Sequence, residues 1–244
     1  MNIYDLLIHK EETILPLDKI HFNEHNKNAL DQLLKEFKHV EALKRYNLPV
    51  DNKLLLYGHT GCGKTTTAKA IANAIGKKMM ILDLGNIVSS KLGETAKNMT
   101  NVFRKADREK AVLFIDEFDY IGTLRDYDNK DSGEMKRLVN TIIQLIDYLP
   151  DTTLLIAATN HSRSIDTALL RRFQLKLKFE LPDQNELDTF YDDILTKFPK
   201  SHRNVKRVYG ISYAEAKDHM YKEMKKEIIK REESKGILVT QDHD

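Results

Sequence analysis

One stretch limits what this chain can fold into more than any other. The apolar run Leu54-Leu55-Leu56 breaks into the glycine-punctuated turn Gly58-His59-Thr60-Gly61-Cys62-Gly63-Lys64-Thr65. A helical pattern then runs from Thr66 to Ile75 and is closed by Gly76. The turn fits the pattern G-x-x-x-x-G-K-[ST]. Glycines let the backbone bend so that successive N–H groups face one anion, and the start of the helix adds positive potential. In such a loop Lys64 reaches the β- and γ-phosphates and the Thr65 hydroxyl holds Mg²⁺. A glycine-rich turn can match the pattern by chance, but the strand before it and the helix after it supply the context that the chemistry needs. The candidate nucleotide-binding residues of this stretch are Gly58, Thr60, Gly61, Cys62, Gly63, Lys64, Thr65 and Thr66.

The remaining chain reads as alternating strands and helices. Leu30, Leu33, Leu34, Phe37 and Val40 recur at helical spacing, so residues 1–50 read as a helical lead-in with no room for a separate folded domain. Met79–Asp83 reads as a second buried strand, followed by a polar turn and a helix with Ala96, Met99, Val102, Phe103 and Ala106 on one face. The run Ala111–Ile115 then delivers two adjacent carboxylates, Asp116 and Glu117. A strand ending in an acidic turn is common by itself, but about 50 residues after a phosphate loop it reads as the second half of an NTPase site. Residues Thr123–Gly133 read as a loop, with Asp131 capping a helix through Glu134. That helix carries Met135, Leu138, Val139, Ile142, Leu145, Ile146 and Leu149 towards the core. Thr153–Asn160 is a fourth strand, and a short helix near Asp166–Leu170 leads to Arg171-Arg172. Leu175, Leu177, Phe179 and Leu181 alternate with polar residues in a fifth, half-exposed strand.

This order predicts an α/β fold: a P-loop NTPase with a five-stranded parallel sheet between helices, then a small α-helical lid. The expected divisions are 1–50, 51–182, 183–238 and a tail at 239–244. In the lid, residues 184–198 form one helix, and Ser212 with Glu215 caps another that runs to about Glu233. Ligands bind at the carboxyl ends of parallel strands, and the P-loop, Asp116-Glu117 and Asn160 all stand at such ends. Composition narrows the function classes. A formal net charge of +2 gives no support for a broad nucleic-acid-binding face. The single cysteine, Cys62, excludes an internal disulfide and suits a reducing compartment. Its thiol stands at a helix start, which can activate it, but a small residue tolerated in a phosphate loop is the reading adopted. Charges at 9–12 interrupt any signal-peptide core and no run approaches the ~18 apolar residues of a membrane helix, so the chain reads as cytoplasmic. The nine histidines form no metal-spaced set or nucleophilic triad.

Together, Gly58–Thr65, Phe114-Ile115-Asp116-Glu117, Ala157-Ala158-Thr159-Asn160 and Asp166–Phe173 resemble the AAA+ ATPases. Ser90–Thr95 and Leu181-Pro182-Asp183 narrow the resemblance to the AAA clade proper, which includes protein unfoldases and microtubule-severing enzymes. The resemblance covers about residues 16–235. It implies ATP and Mg²⁺ as cofactors, with Lys64 and Thr65 as Walker A and Asp116 and Glu117 as Walker B. Thr65 and Asp116 are the implied metal residues. Glu117 would polarise the attacking water, Asn160 would orient it, and Arg171 and Arg172 would be arginine fingers that reach a neighbouring subunit's nucleotide. Ile20 and His21 match the lead-in that touches adenine, and Ala214 matches the lid position near it. The resemblance also implies self-association into a ring, usually a hexamer.

The chain departs from this pattern in four places. Arg171 and Arg172 are adjacent, where many relatives separate them, which leaves open which one meets the γ-phosphate. Lys91 stands where unfoldases carry a pore-loop aromatic, before Leu92 and Gly93, so a threading grip is in question. No arginine opens the last helix, and the lid is short. Three functions follow. The first is a ring ATPase that couples ATP turnover to remodelling a protein client or partner through Lys91-Leu92-Gly93, with a separately encoded protease as one such partner. The second is an ATP-dependent assembly switch or scaffold with slow hydrolysis. The third is a DNA-associated helper ATPase, against which near-neutral charge and Gly93-Glu94-Thr95 both speak. Neither a membrane nor a nucleic-acid partner is expected.

Overall fold

The computed structural model describes residues 7–8, 16–20, 22, 24–84, 92–123 and 132–241. His21, Lys91 and Asp131 lie outside them. The chain forms two compact units, one of Met1–Gly58 with Lys64–Phe179 and one of His59–Gly63 with Glu180–Asp244.

The first unit is built on a six-stranded sheet. Its strands are β1 (Leu7–Ile8), β2 (Lys53–Gly58), β3 (Met79–Asp83), β4 (Val112–Asp116), β5 (Leu154–Thr159) and β6 (Leu175–Phe179). Their spatial order is β1-β3-β4-β5-β2-β6. Strands β2 to β6 are parallel, as the alternating pattern predicts, and β1 pairs antiparallel with the edge of β3. The lead-in therefore contributes a strand as well as helices. Two residues carry no periodicity, so nothing in the sequence marks it. Strands β4 and β5 have apolar residues on both faces because helices cover both sides of a parallel sheet. Leu113, Phe114, Ile115, Leu155, Ile156 and Ala157 are all buried. Strand β6, at the opposite edge, alternates: Leu177 and Phe179 are buried, while Lys176 and Lys178 face water.

Helix α1 (Glu24–Lys38) buries Leu30, Leu33 and Phe37 at helical spacing and is followed by the short α2 (Val40–Arg45). Asn26 on α1 donates to the Lys178 carbonyl of β6 at 2.8 Å, satisfying a polar side chain that is almost fully buried. Helix α3 (Lys64–Ala74) begins two residues before the expected Thr66 and ends before Gly76, whose φ of +64° closes it. Helix α4 (Leu92–Arg108) buries Met99, Val102, Phe103 and Ala106. After the one-turn α5 (Asp119–Thr123), α6 (Ser132–Asp147) turns Leu138, Val139, Ile142 and Ile146 inward, and α4 and α6 pack together. The short α7 (Thr167–Leu170) starts at Asp166, whose carboxylate accepts from the Ala168 N–H at 2.6 Å.

The second unit carries α8 (Gln184–Leu195) and α9 (Tyr213–Gln241). Leu187, Tyr191, Ile194 and Leu195 from α8 meet Ala216, Met220 and Met224 from α9 in its core. The Ser212–Glu215 cap forms as the sequence predicts, with Ser212 N donating to Glu215 at 2.8 Å. A second reciprocal cap, Asp183 with Glu186, opens α8. Pro182-Asp183 reads in the sequence as a boundary, and the same Asp183 also starts the helix. The division into units falls after Phe179, not after Pro182, and residues 59–63 group with the later helices.

Candidate functional site

Gly58, the last residue of β2, is fixed by its neighbour strand. Its φ is +130°, and a Cβ there would sit 1.9 Å from the Phe179 carbonyl oxygen on β6. Only glycine lets β2 end so close to β6. The turn continues through Gly61 and Gly63 at φ +72° and +95°, both in the left-handed region. Within the second unit, a Cβ on Gly61 would lie 2.5 Å from Ser212 Oγ. Ala214 N donates to the Gly61 carbonyl at 3.1 Å, so the loop tip and the start of α9 are joined through backbone. Ala214 is exposed there, and Thr60 is exposed on the same turn. Cys62 is buried, with Sγ 3.6 Å from the Thr60 carbonyl, which makes it a packed small residue of the loop. Helix α3 then opens with Lys64, and its first turn has N–H groups without intrahelical acceptors. Thr66 is exposed on that turn.

Within the first unit, Lys64 is only 8% exposed and its Nζ donates to the Gly58 carbonyl at 2.9 Å. The Thr65 hydroxyl donates to Asp116 Oδ2 at 3.4 Å, joining the start of α3 to the end of β4. Asp116 Oδ1 accepts the Glu117 N–H at 3.0 Å. Glu117 itself is exposed and adopts φ +51°. The other non-glycine residues with positive φ among those described, Asn47 and Lys110, follow helix ends where such a conformation is ordinary. Glu117 follows a strand, and a left-handed non-glycine there stores ~1–3 kcal/mol of strain.

Sheet order decides where Asn160 stands. Strand β5 lies between β4 and β2, pairing Ile115 with Ala157 and Tyr57 with Thr159. Asn160, exposed one residue beyond Thr159, is therefore set between the end of the P-loop strand and the acidic pair. Beneath it, Thr159 Oγ1 donates to Asp119 Oδ1 at 2.6 Å and accepts from the His161 N–H at 2.9 Å, which pins the tip of β5 to α5. The 3₁₀ turn Leu17–Lys19 packs against α3 and ends at half-buried Ile20. His21, its expected companion, is outside the described residues.

The two arginines part company. Arg172 makes a bidentate ion pair with Asp147, the last residue of α6, at 2.7 and 2.9 Å, and also donates to the Ala168 carbonyl. Arg171 is exposed and, among the described residues, its guanidinium has no hydrogen bond or ion pair. Asp147 and Asp119 have no sequence signal of their own: each lies tens of residues from its partner, outside any motif.

The donors present suit a hard divalent ion. Mg²⁺ keeps several waters and takes one or two protein oxygens beside substrate phosphates, and the Thr65 hydroxyl with the Asp116 carboxylate offers such a pair. Among the described residues no cluster of three or more His, Cys, Asp or Glu forms a metal cage. Nor is any described helix long and apolar enough to cross a membrane.

The family profile described as "ATPase family associated with various cellular activities (AAA)" matches residues 54–181, from β2 to just past β6. An "Uncharacterized AAA family ATPase y4kL" of Sinorhizobium fredii (strain NBRC 101917 / NGR234) is 35% identical over 222 residues, covering 85% of this chain and 67% of that protein. A "Proteasome-associated ATPase" of Stackebrandtia nassauensis is 28% identical over 237 residues, covering 84% of this chain. This chain spans only 39% of that relative's length. Among solved structures, the FIGL-1 AAA domain shares the fold, with a TM-score of 0.64 at 20% identity over 82% of this chain and 67% of that one. With the P-loop, the acidic strand end and the intervening Asn160 assembled on one sheet, the chain belongs to the AAA family of ATPases.

Proposed function

We propose that this AAA ATPase works in the cytoplasm as a self-associated ring, a hexamer, that couples ATP turnover to remodelling of a protein client or partner. The observation that carries the reading is the meeting of Lys64, Thr65, Asp116 and Glu117 at the carboxyl edge of the sheet, with Asn160 between the two strand ends. In this reading residues 58–66 hold the phosphates of ATP, and Thr65 with Asp116 holds Mg²⁺, which neutralises charge on the transferred phosphoryl group. The family resemblance assigns Ile20, His21 and Ala214 to adenine binding. Glu117 accepts the proton of the attacking water, and Asn160 orients that water.

Arg171 supplies charge to the nucleotide of the adjacent subunit. Its free guanidinium supports that role, whereas Arg172 is already paired within its own chain. A site completed in trans needs a neighbouring copy, and a closed ring of copies completes every site in turn. The name of the Stackebrandtia relative supports a protease as a separately encoded partner. The client contact falls to Lys91-Leu92-Gly93, in which a lysine replaces the aromatic grip.

Glu117→Gln tests the reading. Loss of a general base costs ~10²–10⁴-fold in rate. The variant is expected to bind ATP and assemble while its turnover falls in that range. Turnover at the wild-type rate removes Glu117 from the chemistry. Capturing the protein that stays bound to this variant in ATP identifies the client, and hydrolysis unaffected by that client favours an assembly switch instead.

A further inference from the structure

Away from the strand ends that carry the site, the C-terminal turn of α1 and the end of α3 enclose a groove of about 490 Å³. That volume lies within the ~300–1,000 Å³ of ligand clefts. Its apolar lining is Leu34, Phe37, Ala74 and Ile75. Phe37 is mostly buried and forms the floor, while Ala74 is exposed at the rim. Its polar lining is Lys35, Lys38 and Lys77, with no acidic residue among the lining groups. Lys35 and Lys38 are exposed. Lys77 is half-buried: its Nζ lies 5.7 Å from the Phe37 ring centroid and donates to the carbonyls of Lys110 and Thr152.

Carbonyl dipoles orient this ammonium without neutralising it. Burial pushes its pKa down, and Lys110 and Lys44 push it further the same way, with no carboxylate opposing them. Among the described residues, none of the three lining lysines forms an ion pair with a carboxylate. The groove therefore combines an aliphatic and aromatic floor with a rim of uncompensated positive charge in a protein whose net charge is only +2.

We propose that this groove docks a short acidic amphipathic segment of a partner protein, its apolar side chains on Leu34, Phe37, Ala74 and Ile75 and its carboxylates on Lys35, Lys38 and Lys77. Two features favour a peptide over a nucleic acid. A net charge of +2 gives no broad basic face for a polyanion, and the mostly buried Phe37 offers its edge to a side chain but no open ring face to a base. An amphipathic helix laid in an apolar groove matches the shape and the charge.

The probe is a fluorescein-labelled synthetic peptide of leucine and glutamate with leucines at i, i+3, i+4 and i+7, titrated by anisotropy. A leucine–lysine peptide and a single-stranded oligothymidylate serve as controls. Saturable binding of the leucine–glutamate peptide alone is expected. The double variant Lys35→Glu, Lys38→Glu should weaken it by about tenfold or more. Ala74→Arg fills the groove while adding positive charge, and should abolish peptide binding. Both variants change exposed residues outside the ATP site, so wild-type melting and basal ATP turnover confirm that they are folded. Absence of saturable peptide binding, or an affinity that the charge reversal leaves unchanged, overturns the proposal. So does oligothymidylate binding that Ala74→Arg preserves in the absence of peptide binding, because the lysines would then serve a polyanion.

Discussion

Two glycines of one loop separate two kinds of constraint. Gly58 and Gly63 both have positive φ, but only Gly58 is also walled in, by the Phe179 carbonyl. A Cβ on Gly63 would meet nothing within 4 Å. Gly58→Ala must push β2 and β6 apart at their pairing, and it is expected to lower the folded yield and the melting temperature strongly. Gly63→Ala carries only the left-handed backbone penalty of ~1–2 kcal/mol. It should fold, melt slightly lower and bind ATP more weakly, because the loop relaxes away from its anion-binding curve. Equal melting temperatures for the two variants would show that the Phe179 contact is not what fixes Gly58. The residue scale is also where the sequence is most uneven. Lys64, Thr65, Asp116, Glu117 and Asn160 stand at the ends of apolar runs, so their common edge follows from pattern alone. The left-handed backbone of Glu117 does not, since no residue-type preference marks a strained glutamate.

At the scale of elements, the second unit carries carboxylates whose ionised form is favoured by the folded structure. Arg207 reaches from the segment after α8 back to Asp188 at 2.6 Å and to Asp192, and Tyr209 donates to Asp188 at 2.8 Å. The hydrogen bonds from Arg207 and Tyr209 hold the Asp188 carboxyl below the usual aspartate range. The backbone and side-chain hydrogen bonds from Ser212 do the same for Glu215. A pKa depressed by folding contributes stability that is present above the unfolded value, ~4, and is lost as pH falls through the folded value. Arg207→Met should therefore melt a few degrees below the wild type at pH 7, with the gap narrowing as the pH is lowered below about 4. A gap that stays constant down to pH 3 would mean that Arg207 acts by packing on Tyr191, which it overlies at 5.7 Å, and not by pairing. Elements buried on both sides, such as β4 and β5, are legible because they are continuous apolar runs of strand length. Strand β1 is not, because two residues show no period and its pairing with Leu82 and Ile81 is purely tertiary. The Asp183–Glu186 cap is spelled in the sequence but hidden behind Pro182, which draws attention to the break and away from the helix that follows it.

On the scale of the whole molecule, the two neighbouring arginines are unequal, and the proposed ring gives that inequality a test. Sequence alone leaves Arg171 and Arg172 equivalent, since Asp147 is 25 residues away and belongs to no motif. The bidentate pair to Asp147 holds Arg172 between the ends of α6 and α7, while Arg171, next in the chain, is left exposed. If Arg171 acts on a neighbour's nucleotide, Arg171→Ala should leave folding and ATP binding intact and lower turnover by ~10³–10⁵-fold. Arg172→Ala should instead leave Asp147 unpaired and lower the melting temperature, and its rate loss should be partly mimicked by Asp147→Asn. The decisive measurement mixes two inactive chains. Glu117→Gln lacks its own base but presents an intact Arg171, and Arg171→Ala keeps its base but presents no arginine. Placed side by side in one ring, the Arg171→Ala copy has a complete site whenever its trans arginine comes from a Glu117→Gln neighbour. ATP turnover that rises on mixing, peaks near equal amounts and vanishes on dilution below the assembly concentration is the expected result. Mixed chains that co-assemble but remain as inactive as either parent would place the missing positive charge elsewhere than Arg171.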